Sequence, residues 1–143
     1  MRELYRANLD RLGRDLVEIA RLVHRAALDG RTALETADVH GAERVISEDA
    51  RIDMLQESLD DQAVRLLSLQ APVATDLRTV VASLRMSSSL ERMGDLARHI
   101  AQLTRLRYPE HVIPEAVRPV FTQLADAAVE VAEEAVLLLE TLD

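Results

Sequence analysis

"SLQAPVATDLRTVVASL", residues 68–84, decides the fold. Apolar residues recur at spacings of three and four on both sides of it, the mark of amphipathic helix. In the middle stands Pro72, which steers the residue before it away from helical geometry and so ends the helix that arrives. Thr75 is a good N-cap type, and Asp76 follows in the first turn, where an acid complements the helix dipole. A new helix is therefore predicted within a few residues of the break. Two long helices joined by so short a turn fold back on each other.

The same spacing extends outward in both directions. The first helix carries Leu9, Leu12, Leu16, Ile19, Val23 and Ala26. It runs to about Ala37 through Gly30, whose cost of roughly 1 kcal/mol a long packed helix tolerates. Asp38 is a fair N-cap for the second helix, with Val45, Ile52, Leu59, Ala63 and Leu66 on its seam. The third helix continues to about Arg107 with a seam of Leu77, Val81, Leu84, Ser88, Glu91 and Asp95. "RYPEHVIPE", residues 107–115, is a linker punctuated by Pro109 and Pro114. The fourth seam is very regular: Val117, Phe121, Leu124, Ala128, Val131, Ala135, Leu138 and Leu142.

The expected architecture is all-α, an antiparallel three-helix bundle over residues 1–108 followed by a fourth long helix over 114–143. Leu124, Val129, Glu130 and Ala132 repeat Leu12, Val17, Glu18 and Ala20, so the fourth helix reads as the start of a second, truncated bundle. Its apolar seam cannot stay bare in water. It is predicted to dock on its own bundle or to exchange with a second copy, giving a homodimer.

Composition narrows the function. The 143 residues hold 48% hydrophobic but only 2% aromatic residues, enough for one aliphatic core. Cysteine is absent, which excludes disulfides and thiolate metal sites and fits a reducing compartment. A net charge of −8, with all 17 basic residues arginine, argues against nucleic acid as a partner. No apolar run approaches the ~18 residues that span a bilayer, so direct membrane insertion is not expected.

Acids interrupt two of the seams. Glu91 and Asp95 extend the apolar stripe of the third helix, and Asp49 falls between Val45 and Ile52 on the second, with Asp53 one turn on. For a hairpin turning around Pro72, residues whose numbers sum to about 144 lie level. Asp53 with Glu91, and Asp49 with Asp95, both meet that condition. Four carboxylates should therefore converge, and converging acids need protons, arginines or cations to relieve them. Oxygen donors suit hard cations such as Mg²⁺, Mn²⁺ or iron. The competing reading is a solvated groove neutralised by Arg51 and Arg92. His99 and His24 are secondary ligand candidates or plain polar surface. Arg78, Arg85 and Arg92 recur every seventh residue, as a docking stripe for an acidic partner or phosphate, or as a solvated face paired with acids on neighbouring helices. A ferritin-like di-metal enzyme would need Glu-x-x-His motifs, and none occurs. A di-metal carboxylate enzyme is therefore a weaker alternative than a plain structural interaction module without metal.

"DLRTVVASLRMSSSLERMGDLARHIA" (76–101), preceded by "SLQAPVAT" (68–75) and "SEDARIDMLQESLDDQAVRLL" (47–67), resembles the PhoU family, its actinobacterial members in particular. The likeness covers roughly residues 9–107. It implies two repeated three-helix bundles with an acidic E/D-x-x-x-D motif on facing helices. It also implies a cytoplasmic negative regulator of the phosphate-starvation (Pho) response, linking the phosphate ABC transporter to a membrane sensor histidine kinase and reaching the inner face of the membrane through those partners. Metal is implied too, iron in ferric or divalent form or another divalent ion (Mn, Mg or Zn). The ligands would be Asp49 and Asp53 of "DARID" and Glu91 and Asp95 of "ERMGD", with Gly94 allowing close approach. The chain departs from the family in holding only the first helix of a second bundle.

Overall fold

The computed structural model describes residues 2–69 and 74–141. They form α1 (Arg2–Thr36), α2 (Val39–Leu69), α3 (Ala74–Arg107), a 3-10 turn (Glu115–Val117) and α4 (Arg118–Thr141), with no strand among the described residues. The turn around Pro72 and the seam position Leu142 lie outside them. Thr75 falls inside the first turn of α3 rather than at its cap, because the helix already includes Ala74.

The α1–α2 corner is closed by local chemistry. Ala37 takes a left-handed conformation (φ 52°), and the Asp38 N–H donates to the Ala33 carbonyl at 2.9 Å, which ends α1. The Asp38 carboxylate then accepts from the Gly41 N–H at 3.0 Å and starts α2 as expected. A Cβ on Gly41 would sit 2.7 Å from Asp38 Oδ2, so a larger residue there would make the capping carboxylate shift.

α1, α2 and α3 pack on one another, and α4 packs on α1. The α1 and α2 seams are as expected: Leu12, Leu16, Ile19 and Val23 are buried, as are Val45, Ile52, Leu59 and Leu66. α3 differs. Its buried face is Val80, Ser83, Ser87, Leu90, Gly94, Ala97, Ala101 and Thr104, one position round from the expected seam. Small side chains let α3 lie close to its neighbours; a Cβ on Gly30 of α1 would come 3.4 Å from the Ala97 carbonyl. Leu77 and Ser88 are exposed as a result, while Val81, Leu84, Glu91 and Asp95 sit half-buried on the flank.

α4 corrects the sequence reading most. It docks on α1 through Ala125, Ala132, Val136 and Leu139, not through the regular seam. Ala125 and Ala132 permit close approach, and two ion pairs across the contact hold the rotation of the helix. Arg31 pairs with Asp126, and Arg21 with Glu140 at 2.7 Å. The expected seam positions Val117, Leu124, Val131 and Leu138 therefore face outward.

Candidate metal centre

Asp49 occupies a core position of α2, one turn before Ile52, and is only 4% exposed. Across from it α3 presents Gly94, where a Cβ would lie 3.3 Å from Ile52 Cδ1 and 3.5 Å from Asp49 Oδ1. A larger residue at 94 would press on both. A Cβ on Gly94 would fall between Asp49 and Ile52, so level pairs sum to between 143 and 146, around the expected 144.

Asp95 comes level with the span between Asp49 and Asp53, and carboxylate oxygens of these three lie within 4.8 Å of one another. Glu91 falls one turn further along, beside Asp95 rather than inside the triplet. Among the described residues no histidine joins the group: His24 is half-buried on α1, and His99 is exposed with its Nε2 3.5 Å from Arg98 Nη2.

Charge in the cluster is only partly balanced. Arg98 Nη1 donates to Asp49 Oδ2 at 3.1 Å, and its other terminal nitrogen is 3.6 Å from Asp95. Arg51 instead turns to Glu18 on α1 at 3.5 Å, and Arg92 has no acid within 4.0 Å among the described residues. The expected neutralising pair is thus replaced by one arginine that the pattern did not single out. Its signal was the i, i+3 spacing from Asp95. One cation serves four acids, and Asp49 Oδ1 is buried with no hydrogen-bond partner. Such an orphaned oxygen calls for a proton, water or cation.

The titration of these acids reflects the imbalance. Burial first, then the charge of Asp53, raises the Asp49 carboxyl above its ordinary value against the opposing pull of Arg98. Glu91 is pushed up to about 7, by burial first and then by Asp95 accepting its proton, with the charges of Asp53 and Asp49 adding to the effect. Between its ordinary value of 4.5 and about 7, folded Glu91 holds a proton that the unfolded chain releases. That contribution to stability is complete below about 4.5 and disappears as pH rises through about 7. The melting temperature of the cation-free protein is expected to fall between pH 5 and pH 8, and Glu91→Gln to flatten the fall. A melting temperature that rises over this range in the cation-free protein would contradict the assignment.

The fold and the cluster together define a class: an all-helical bundle with a cluster of carboxylates between two antiparallel helices. A family model described as the PhoU domain matches residues 16–104. The chain belongs to the PhoU family. It is 40% identical over 135 residues to "Phosphate-specific transport system accessory protein PhoU homolog 2" of Mycobacterium tuberculosis, covering 94% of this chain and 63% of that protein. The corresponding homolog 1 of Mycobacterium leprae is 39% identical over 140 residues, with 96% and 63% covered. Among solved structures, the phosphate transport system regulatory protein PhoU from Streptococcus pneumoniae superposes with a TM-score of 0.80 at 26% identity, over 93% of this chain and 61% of that one. The chain thus spans a little under two thirds of the length of these three relatives.

Proposed function

We propose that the chain is a non-enzymatic regulator of phosphate transport whose helical bundle is set by a cation bound at Asp49, Asp53 and Asp95, with Glu91 as a fourth ligand or a proton store beside them. Family membership supports the regulatory role, since the relatives' names are those of accessory proteins of a phosphate transport system. The observation that carries the metal reading is the three-aspartate group with the orphaned Asp49 oxygen. An all-oxygen, multiply charged donor set suits a hard ion such as Mg²⁺, Mn²⁺ or iron; Zn²⁺ fits it less well for want of histidine or thiolate. The ion would cancel repulsion and lock α2 against α3; no reacting group is needed.

In this reading the cytoplasmic partners are the phosphate ABC transporter and a membrane sensor histidine kinase, and the outcome is restraint of the phosphate-starvation response. No helix among the described residues is long and apolar enough to cross a membrane. Contact with the inner face of the membrane would run through these partners. Residues 114–143 open a second repeat of the three-helix unit, and the chain acts as a homodimer. The test is a pull-down with the cytoplasmic part of a phosphate-sensing histidine kinase, with and without chelator. Retention of the kinase that chelator weakens is expected. No retention in either condition would overturn the proposal.

A further inference from the structure

α3 sorts its charges. Its three acids turn toward the bundle: Asp76 faces Tyr5 of α1, while Glu91 and Asp95 meet the acids of α2. Arg98 turns the same way, to Asp49. The outward side holds Arg78, Arg85 and Arg92, exposed and with no acid within 4.0 Å among the described residues. Seven residues bring a helix back to within about 20°, so the three arginines form one line ~21 Å long. It runs opposite the buried positions Val80, Ser87 and Gly94. Exposed Ala82 and Ser89 fall between the arginines in steps of four and three, and their small side chains let another backbone come close. α4 lies elsewhere. Its ion pairs reach α1 at Arg21 and Arg31, whereas Gly30 packing on Ala97 brings Arg85 and Arg78 about level with Glu18 and Arg11.

We infer that the outer face of α3 binds an amphipathic α-helix of a partner protein, one bearing a carboxylate at every seventh position. The seven-residue line is the repeat with which a second helix packs at a shallow crossing. Each guanidinium can take a carboxylate through two parallel hydrogen bonds, which fixes register as well as charge. An anionic bilayer fits less well. It repels a chain of net charge −8, and between these arginines stands no large apolar side chain to insert. The rest of this acidic chain repels an acidic helix too, so the arginine line decides where such a partner lands. The inference names the chemistry of a partner for the proposed regulator and rests on that part of the reading, not on the cation site.

Fluorescence anisotropy of a labelled synthetic peptide, titrated with the full chain at low ionic strength, tests it. The peptide is three heptads of a helix-forming sequence with glutamate at one position of each, beside the same peptide with lysine there. The glutamate peptide should bind and be released in about 0.5 M salt. Arg78→Glu/Arg85→Glu/Arg92→Glu should weaken it by about tenfold or more and should bind the lysine peptide instead. Arg11→Glu/Arg14→Glu/Arg65→Glu makes the same change of net charge on exposed arginines elsewhere and should leave the affinity within about twofold of wild type. Equal losses in the two variants, no binding by wild type, or phosphatidylglycerol vesicles captured in place of the peptide would overturn the inference. So would a reversal of the α3 line that changes the particle mass, since the line would then hold copies of the chain together. The kinase pull-down run on the same variants keeps this inference apart from the proposed function. Kinase retained equally by wild type and by the α3 variant overturns the α3 surface and leaves the regulator standing.

Discussion

Saturating Mn²⁺ or Mg²⁺ will raise the melting temperature of the wild-type protein and leave that of an Asp49→Asn/Asp53→Asn/Asp95→Asn variant unchanged. A ligand at a hundred times its dissociation constant stabilises the folded state by about 2.7 kcal/mol when the unfolded chain does not bind it. For a chain of this size that corresponds to roughly 5–10 °C. The gain comes from geometry that only the folded chain has, since Asp95 reaches the α2 pair through the packing of Gly94 on Ile52. The asparagines keep size and shape while removing charge. In the absence of cation the variant should match or exceed wild type in stability, because the repulsion among the acids is gone. A variant that responds to the cation as strongly as wild type does would show that the stabilisation arises elsewhere.

Arg98→Ala will destabilise the cation-free protein at neutral pH by about 1–3 kcal/mol, read from the midpoint of urea unfolding. Arg98 is the one basic side chain within 4.0 Å of Asp49 among the described residues, and Asp49 is almost fully buried. Removing it leaves a buried carboxylate among like charges. The Arg98 side chain is 31% exposed, which screens the pair and keeps the cost below that of a fully buried one. Two rescues are expected. As pH falls, Glu91 and the raised Asp49 carboxyl take up protons and need the arginine less, so the deficit shrinks. Cation restores it too, and binds the variant more tightly than wild type, because Arg98 competes with it for Asp49 Oδ2. An equal deficit at pH 4.5 and pH 7 would mean that Arg98 acts through packing alone.

Different helices were legible in the sequence to different degrees, for identifiable reasons. α1 and α2 bury leucine, isoleucine and valine at regular spacings, so their inward faces can be read directly. α3 buries Ser83, Ser87, Gly94, Ala97, Ala101 and Thr104, side chains chosen for size rather than hydrophobicity. A hydrophobicity reading follows Leu77, Val81 and Leu84 instead and lands on the flank. α4 has two apolar stripes, and the more regular one is the one left outward; alanines at 125 and 132 mark the docked face only once the close approach to α1 is seen. The three aspartates and Glu91 were found because acids on a seam are conspicuous. The spacing set their common level but not the rotation of α3 about its axis, and it did not single out Arg98, whose ion pair with Asp49 is a matter of contact rather than period.

The most direct test is the metal content of purified protein after exposure to Mn²⁺ or iron and exhaustive dialysis, counted by elemental mass spectrometry beside the triple asparagine variant. At least one ion retained per wild-type chain, and none in the folded variant, is the result that aspartates gathered between α2 and α3 predict. Equal metal in both proteins, or none in wild type at any cation concentration that leaves it folded, would contradict it.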